Sequence, residues 1–311
     1  MEEAKKIQAD RTDWIKYTFL EAACRTTTKI LQKIIGVLGK TFAHAFLASA
    51  IVGFTQALTS LLSLKIARKK IFPGWFNFWG ACLFGVNATI ATALSFAVFS
   101  LGGDVGINSF IMTLTIVPGA LIDRFIFREK LNYIQWLGLF LAVFAGYSIL
   151  GWPSLNKILA LPLWIWLSFV IMFSLAFNTG IARKIKDINP LAKNFWGGLV
   201  TFALSLGGLI FLGKLKLTTD FSPTMQKLWL SSIISGVIVI GIWSFSVLSY
   251  KRGAPIAFKG LIMYGTYLTA AMFLGIIIFN EPLTSSKLIG IPIYLLAYAL
   301  MNKKSFGHRQ V

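Results

Sequence analysis

The chain alternates long apolar segments with short polar ones, and the apolar segments have the length of membrane-spanning helices. A spanning helix needs about 20 predominantly apolar residues. Nine segments meet this requirement: 42–64, 76–100, 105–127, 132–150, 158–181, 195–213, 228–250, 255–279 and 283–301. The pattern therefore predicts an all-α polytopic membrane protein in which short polar loops join the spans.

The N-terminal segment, residues 14–38, differs from the nine spans because it carries a stripe of charge. Glu21, Arg25, Lys29 and Lys33 follow one another every four residues, so they share one face of a helix. The other face is mainly apolar, which predicts an amphipathic helix. Such a helix lies in the membrane interface with its charges in water, or crosses the membrane with its charges towards a wet cavity. Both alternatives stay open, and with them a total of nine or ten spans.

The composition excludes the other broad classes of protein. Hydrophobic residues make up 56% of the 311 residues and charged residues only 13%, against about 25% charged residues in ordinary soluble domains. The chain has too few charges to cover a soluble core. The 27 Phe and 10 Trp exclude a disordered chain, and the two cysteines exclude a disulfide scaffold.

The large positive charge follows from the side of the membrane on which the loops lie. Lys and Arg number 30 against 11 Asp and Glu, a net charge of +19, which in a soluble protein would indicate a nucleic-acid partner. When loops are assigned alternately to the two sides, 19 basic residues fall on one side and six on the other. Because basic loops face the cytoplasm, the polar tail 1–13 and the basic tail 302–311 are both predicted to be cytoplasmic. No nucleic-acid partner is implied.

The chain contains pairs of similar segments at corresponding places between or at the ends of spans. The matched pairs are 127–138 (FREKLNYIQWLG) with 279–290 (FNEPLTSSKLIG), and 95–100 (SFAVFS) with 244–249 (SFSVLS). They occur in the same order and predict two repeats, 14–150 and 158–301. Because each repeat has five helices, an odd number, the second enters the membrane from the opposite side, which makes the repeat inverted.

A second similarity pairs other helices and would put both copies on the same side of the membrane. Residues 66–69 and 77–80 resemble residues 181–184 and 194–197. We interpret this similarity as convergence on a basic loop that is followed by an interfacial aromatic residue.

The repeated pattern resembles the drug/metabolite transporter superfamily, in its EamA-like branch. The resemblance rests on the loop with Glu129 before a glycine-containing helix, on its second copy at Glu281, and on Pro118 in the fourth helix. It covers about 75–150 and 158–301, and the charged first helix departs from it. The resemblance implies two inverted five-helix repeats around a central cavity, with the fifth and tenth helices at the periphery. It also implies alternating access and the export or exchange of a small metabolite.

Six residues are candidates for binding the solute, because they are polar or aromatic side chains within spans. They are Lys259, Asn108, Trp243, Tyr264, Asn87 and Gln56. Lys259 is the strongest candidate, since a lysine at the centre of a spanning helix costs about 2.5–3.5 kcal/mol. It binds an anionic solute, or it reaches the headgroups from its place near the helix end. The amides bind ligand or hydrogen-bond neighbouring helices, and the aromatic residues line the cavity, form interfacial belts or pack in the core.

Three glutamates have other predicted roles. Glu21 is a candidate for proton coupling if its helix spans, and otherwise forms a surface pair with Arg25 on an interfacial helix. Glu129 and Glu281 are interpreted as caps of the helices that follow them, because a carboxylate is favourable at a helix N-terminus. Pro282 suits the first turn of such a helix.

The sequence carries no recognisable catalytic motif. It has two histidines, His44 and His308, and no HExxH, GxSxG or phosphate-binding glycine loop. We therefore predict a secondary transporter of a small organic metabolite in the cell membrane, with no enzyme activity and no metal or organic cofactor. A lipid or amphiphile flippase on the same fold and a polytopic membrane enzyme are the alternatives. The predicted partners are the lipid bilayer and a small organic solute, with the chain acting as a monomer or homodimer.

Overall fold

The protein is built from helices joined by short connections. A computed structural model describes residues 2–126, 128, 132–185, 187–252 and 256–301. In this part of the chain the helices are α1 (Glu2–Gly39), α2 (Phe42–Ile66), α3 (Trp75–Ser100), α4 (Val105–Thr113), α5 (Ile116–Phe125), α6 (Tyr133–Ile149), α7 (Leu155–Leu159), α8 (Leu163–Lys184), α9 (Pro190–Phe211), α10 (Pro223–Lys251), α11 (Ile256–Phe279) and α12 (Ser285–Met301), with a 3₁₀ turn at Leu215–Thr219. The predicted all-α class is confirmed.

Seven helical segments of the described chain are long and apolar enough to cross a membrane. They lie in α2, α3, the α4–α5 pair, α8, α9, α10 and α11. The apolar helices α6 and α12 are shorter, with 17 residues each, which corresponds to about 26 Å against the roughly 30 Å of a bilayer core. The helices thus fit a multi-pass membrane protein, while the count of nine or ten spans stays a prediction.

The predicted span 105–127 is broken in the structure. The α4 helix ends at Thr113 and α5 begins at Ile116. The hydroxyls of Thr113 and Thr115 donate to the carbonyls three residues back, at 2.7 and 2.6 Å, and so compete with regular helical pairing. Pro118 has no N–H to continue the ladder across the break, and it is tolerated in the first turn of α5.

The charged stripe of α1 faces the other helices, while large apolar side chains of the same helix are exposed. Glu21 is 1% exposed and Lys29 6%, whereas Phe19 is 49% and Val37 52% exposed. The helix packs along α3, α10 and α11. The alternative of an interfacial helix with its charges in water is therefore wrong, because neighbouring helices cover the charged stripe. The backbone of α1 also begins at Glu2, not at residue 14.

The helices associate in a regular set of pairs. The most extensive contacts join α2 to α9, α1 to α10, α6 to α12 and α3 to α8, and α9 also packs on α3. Small residues let α9 approach its neighbours closely. A methyl group added at Gly198 would lie 2.9 Å from the carbonyl oxygen of Gly53 in α2, and one added at Gly85 in α3 would lie 2.7 Å from the carbonyl oxygen of Gly197. The backbones are thus in direct contact at these crossings, as in other membrane helix pairs.

Candidate functional site

A group of basic side chains lies inside the helix array. We call Arg25 and Lys29 of α1 and Lys193 of α9, together with Glu21, the internal cation cluster. Arg25 pairs with Glu21 one turn before it, at 2.8 Å between Nη2 and Oε1. Lys29 is 6% and Lys193 4% exposed. Basic side chains of this burial are rare and are normally paired.

Aromatic rings surround the ammonium group of Lys193. Its Nζ lies 4.0 Å from the ring centroid of Trp243 and 4.5 Å from that of Phe84. The two rings meet edge to face, with centroids 4.8 Å apart. The guanidinium of Arg25 lies on the same indole, 5.9 Å from its centroid. Trp243 therefore attracts two cations through its π face, one from α1 and one from α9.

Asn108 of α4 orients Lys29. The Lys29 ammonium donates to Oδ1 of Asn108 at 2.9 Å, and Nδ2 of Asn108 donates to the hydroxyl of Ser168 in α8 at 2.7 Å. The amide thus joins three helices, and its oxygen end faces the cation. Lys29 also lies 5.6 Å from the ring centroid of Phe99.

The charges of the internal cation cluster do not balance. Among the described residues, neither Lys29 nor Lys193 has a carboxylate within ion-pair distance, and Glu21 pairs with Arg25. Three basic groups therefore stand against one acidic group. Burial of an unpaired ammonium is unfavourable, so neither lysine stabilises the fold through an ion pair with a described residue.

A second group of charges lies at one end of the helices, and we call Lys33, Asp104, Glu281 and Lys287 the terminal ion cluster. Lys33 Nζ is 3.3 Å from Oε1 of Glu281 and also donates to the carbonyl of Gly103. Lys287 Nζ is 2.7 Å from Oδ2 of Asp104. Two basic and two acidic side chains balance each other in this cluster.

Both carboxylates of the terminal ion cluster also cap α4. Asp104 Oδ1 accepts from the N–H of Ile107 at 2.7 Å, and Glu281 accepts from the N–H groups of Val105 and Gly106 at 2.6 and 3.2 Å. Burial raises the pKa of the Glu281 carboxyl, with a further contribution from nearby Asp104, and the two amides and Lys33 offset part of this.

The prediction that Glu281 caps the helix after it is wrong, because α12 begins only at Ser285. The loop folds back, with the Glu281 N–H on the carbonyl of Gly275 at 3.3 Å, and this brings the carboxylate to α4 instead. Glu129, predicted to cap its own helix, lies outside the described residues.

The remaining candidates fall in different places. Gln56 donates to Asn194 of α9 at 2.9 Å, which makes it a link between α2 and α9. Asn87 donates one turn back to its own helix, at 3.3 Å from the carbonyl of Leu83. Tyr264 is half-buried, and its ring meets that of Tyr298 in α12 at 6.0 Å.

The two remaining predictions concern Lys259 and Glu21. Lys259 lies in α11, but its side chain is outside what the structure describes. Glu21 is buried, so a surface pair with Arg25 on an interfacial helix is excluded. Its role in proton coupling stays a prediction.

Sequence reasoning missed Lys193 and did not single out Lys29 as a site residue. Lys193 precedes the predicted span 195–213 and therefore counts as a loop charge in the sequence, whereas α9 begins at Pro190 and buries it. The sequence did contain a signal, because Asn followed by Pro is a typical helix start. In the structure Asn189 accepts a hydrogen bond from the N–H of Leu191 at 2.9 Å.

The described structure has two surface clefts. One, of about 430 Å³, is lined by Gly265, Thr266, Thr269 and Ala270 of α11. The other, of about 550 Å³, is apolar and lies along α6 and α8. No group of three His, Cys, Asp or Glu side chains that could hold a metal ion occurs among the described residues.

Comparison with known proteins gives the fold. No family model and no curated protein matches the chain. A solved structure described only as "Crystal structure of protein" superposes with a TM-score of 0.63 at 14% identity, over 96% of this chain and 99% of that chain. At this identity the likeness shows a shared fold alone. The long apolar helices fit the class of multi-pass membrane proteins.

Proposed function

We propose that the protein is a secondary transporter that moves a small organic solute across the cell membrane by alternating access. The observation that carries the proposal is the orientation of α1, in which Glu21, Lys29 and Lys33 are buried against other helices while Phe19 and Val37 point outwards. Ionisable side chains inside a membrane protein mark solute or ion pathways. In this proposal α1, α6 and α12 also cross the membrane, giving ten spans.

The pattern of helix contacts supports a duplicated architecture. If α1, α2, α3, α4–α5 and α6 correspond to α8, α9, α10, α11 and α12, most of the extensive contacts have a counterpart. The contact α1–α10 corresponds to α8–α3, α1–α11 to α8 with α4–α5, and α2–α10 to α9–α3. The contacts α2–α9 and α6–α12 map onto themselves. A twofold relation between two five-helix repeats, inverted in the membrane, would produce this set.

One departure from this symmetry supports alternating access. The α1 helix packs on α3, whereas α8 makes no comparable contact with α10 in the part of the chain that the structure describes. Transporters with inverted repeats exchange such an asymmetry between halves when they change the side to which the cavity opens. The structure then represents one of two states.

The terminal ion cluster supports the same proposal, since both of its ion pairs join the two halves. Lys33 and Asp104 belong to the first repeat, and Glu281 and Lys287 to the second. Glu281 also caps α4 of the other half. In the proposed cycle this cluster closes one end of the pathway, and its four charges separate when that end opens.

A reversible cross-link across the cluster tests this proposal. Cys24 and Cys82 are free, so both are first replaced by serine. Lys33→Cys and Glu281→Cys are then introduced, and purified protein is placed in liposomes loaded with a cell extract. A bifunctional methanethiosulfonate joins the two cysteines. Mass spectrometry of the retained solutes should show efflux that stops after cross-linking and resumes after reduction.

The controls separate transport from the other candidate functions. Each single cysteine variant, treated with the same reagent, should keep its efflux. Efflux that continues through fully cross-linked protein would contradict alternating access at this end. If no solute leaves but a fluorescent phospholipid changes leaflet, the flippase alternative replaces the proposal. If extract components are converted instead of moved, the protein is an enzyme.

A further inference from the structure

The internal cation cluster lacks the acidic partners that the rest of the interior provides. Its Lys193 ammonium has three N–H donors, yet no hydrogen-bond acceptor among the described residues contacts it, and its neighbours are the faces of Trp243 and Phe84. It is 4% exposed. An ammonium in such surroundings is stabilised when an anion binds beside it.

Arg25 lies near both lysines of the cluster. Arg25 and Lys193 both lie within 5.9 Å of the same indole centroid. Lys29 lies one turn further along α1 than Arg25, which corresponds to about 6 Å of helix rise. Glu21 pairs with Arg25, so an anion beside Lys193 would give this ammonium a partner that it lacks among the described residues.

We propose that the transported solute carries a carboxylate or phosphate group, which binds beside Lys193 and Arg25, while an apolar part of the solute packs on Trp243. This inference rests on the proposed transport function and names its substrate class. Arg25 belongs to the first repeat and Lys193 to the second, so the oxyanion would bridge the two halves.

The chemistry of the cluster argues against other solutes. A cationic solute would be repelled by the excess of basic groups, and a neutral solute would leave two ammonium groups unpaired. The Asn108 oxygen already accepts a hydrogen bond from Lys29. It therefore stabilises the cation and is not available to a solute. An aromatic ring beside the cations provides a surface for the carbon skeleton of a small organic anion.

Anion binding to the purified full-length protein tests the proposal. The probes are inorganic phosphate and succinate, with glycerol and choline as neutral and cationic counterparts, all at constant ionic strength. The rise in thermal midpoint with probe concentration gives the affinity. We expect phosphate, succinate or both to bind the wild type, and glycerol and choline not to bind. The stronger of the two anions identifies phosphate or carboxylate as the preferred group.

Matched variants assign the binding to the cluster. Lys193→Gln should weaken anion binding at least about tenfold, as expected for a lost hydrogen bond to a charged group, and Lys29→Gln, one turn from Arg25, should weaken it less. Lys193→Arg keeps the charge and should bind within a few-fold of the wild type. Lys69→Gln removes an exposed lysine and should change nothing. Anion binding that is absent, or that is equal in the wild type and in both cluster variants, would overturn the inference.

The same variants keep this inference distinct from the transport proposal. If solute efflux occurs but Lys193→Gln and Lys29→Gln transport as well as the wild type, the oxyanion assignment falls and transport stands. If both variants lose anion binding while no solute crosses the membrane in the liposome experiment, the site stands and the transport proposal falls.

Discussion

The two charge clusters of this protein differ in the groups that surround their buried lysines. In the terminal ion cluster each lysine lies against a carboxylate, Lys33 at 3.3 Å and Lys287 at 2.7 Å. In the internal cation cluster Lys29 contacts an amide and Lys193 contacts aromatic rings. Each lysine of the first cluster has a carboxylate partner, and neither lysine of the second has one among the described residues.

This difference indicates what each cluster contributes. Paired charges that link distant segments stabilise one arrangement of the helices, and removal of one partner is costly because the other stays buried and uncompensated. Unpaired cations lower the stability of the protein but raise its affinity for an anion. The comparison therefore predicts that mutations in the two clusters change stability with opposite signs.

The largest effect is expected at Asp104. Asp104→Ala removes one of the two carboxylates that cap α4 and leaves Lys287, 3% exposed, without a carboxylate, so we expect a loss of about 3–5 kcal/mol in unfolding free energy. Asp104→Asn keeps a capping oxygen and should lose about 1 kcal/mol less. The thermal midpoint in detergent reports both. Combining Asp104→Asn with Lys287→Met should restore most of the loss. A midpoint unchanged in Asp104→Ala would show that this pair does not hold the helices together.

The sequence was sufficient for the local part of the fold. The apolar runs 42–64 and 76–100 predict α2 and α3 to within two residues, because hydrophobicity and helix length are local properties. The charged stripe of α1 was also visible as four residues spaced by four. The break between α4 and α5 was not predicted, because it depends on hydroxyl groups that bond their own backbone.

The site itself depends on contacts between distant parts of the chain. Lys33 and Glu281 are 248 residues apart, and Lys29 and Asn108 are 79 apart. A single sequence shows that these side chains are polar, but it does not show which of them meet. Lys193 was missed for a different reason. It was counted as a loop charge, although the Asn-Pro pair just before it indicates the start of a helix.

Gly275 offers a way to disturb the terminal ion cluster without removing a charge. A methyl group at this position would lie 2.6 Å from Oε2 of Glu281. Gly275→Ala should displace the carboxylate from the α4 amides and lower the unfolding free energy by about 1–3 kcal/mol. Gly207→Ala is the matched control, since its added methyl group meets nothing within 4 Å. Equal midpoints for the two variants would mean that the position of Glu281 is not important for stability.

The same substitution in both clusters gives the most direct test of opposite signs. Lys193→Met removes an unpaired ammonium from an aromatic pocket and should raise the unfolding free energy by up to about 2 kcal/mol, less the lost cation–π attraction. Lys287→Met removes a paired ammonium and should lower it. The thermal midpoints of the two variants and of the wild type show whether the two changes in stability have opposite signs. A fall in both would show that Lys193 is a structural residue like Lys287.

The smallest expected effect is a dependence of the terminal ion cluster on pH. The pKa of Glu281 is raised by burial, so the folded protein binds this proton more tightly than the unfolded chain does. The stability contributed by this group is therefore fully present below its ordinary pKa and is lost as pH rises through the raised value. The midpoint of the wild type, relative to Glu281→Gln, should rise when the pH falls from 7.5 to 5. Groups common to both proteins, including Lys33, Asp104 and Lys287 around the carboxyl, largely cancel in this difference. A relative midpoint that falls on acidification would mean that the amides and Lys33 outweigh burial, and that Glu281 is held as a stable anion at the closed end.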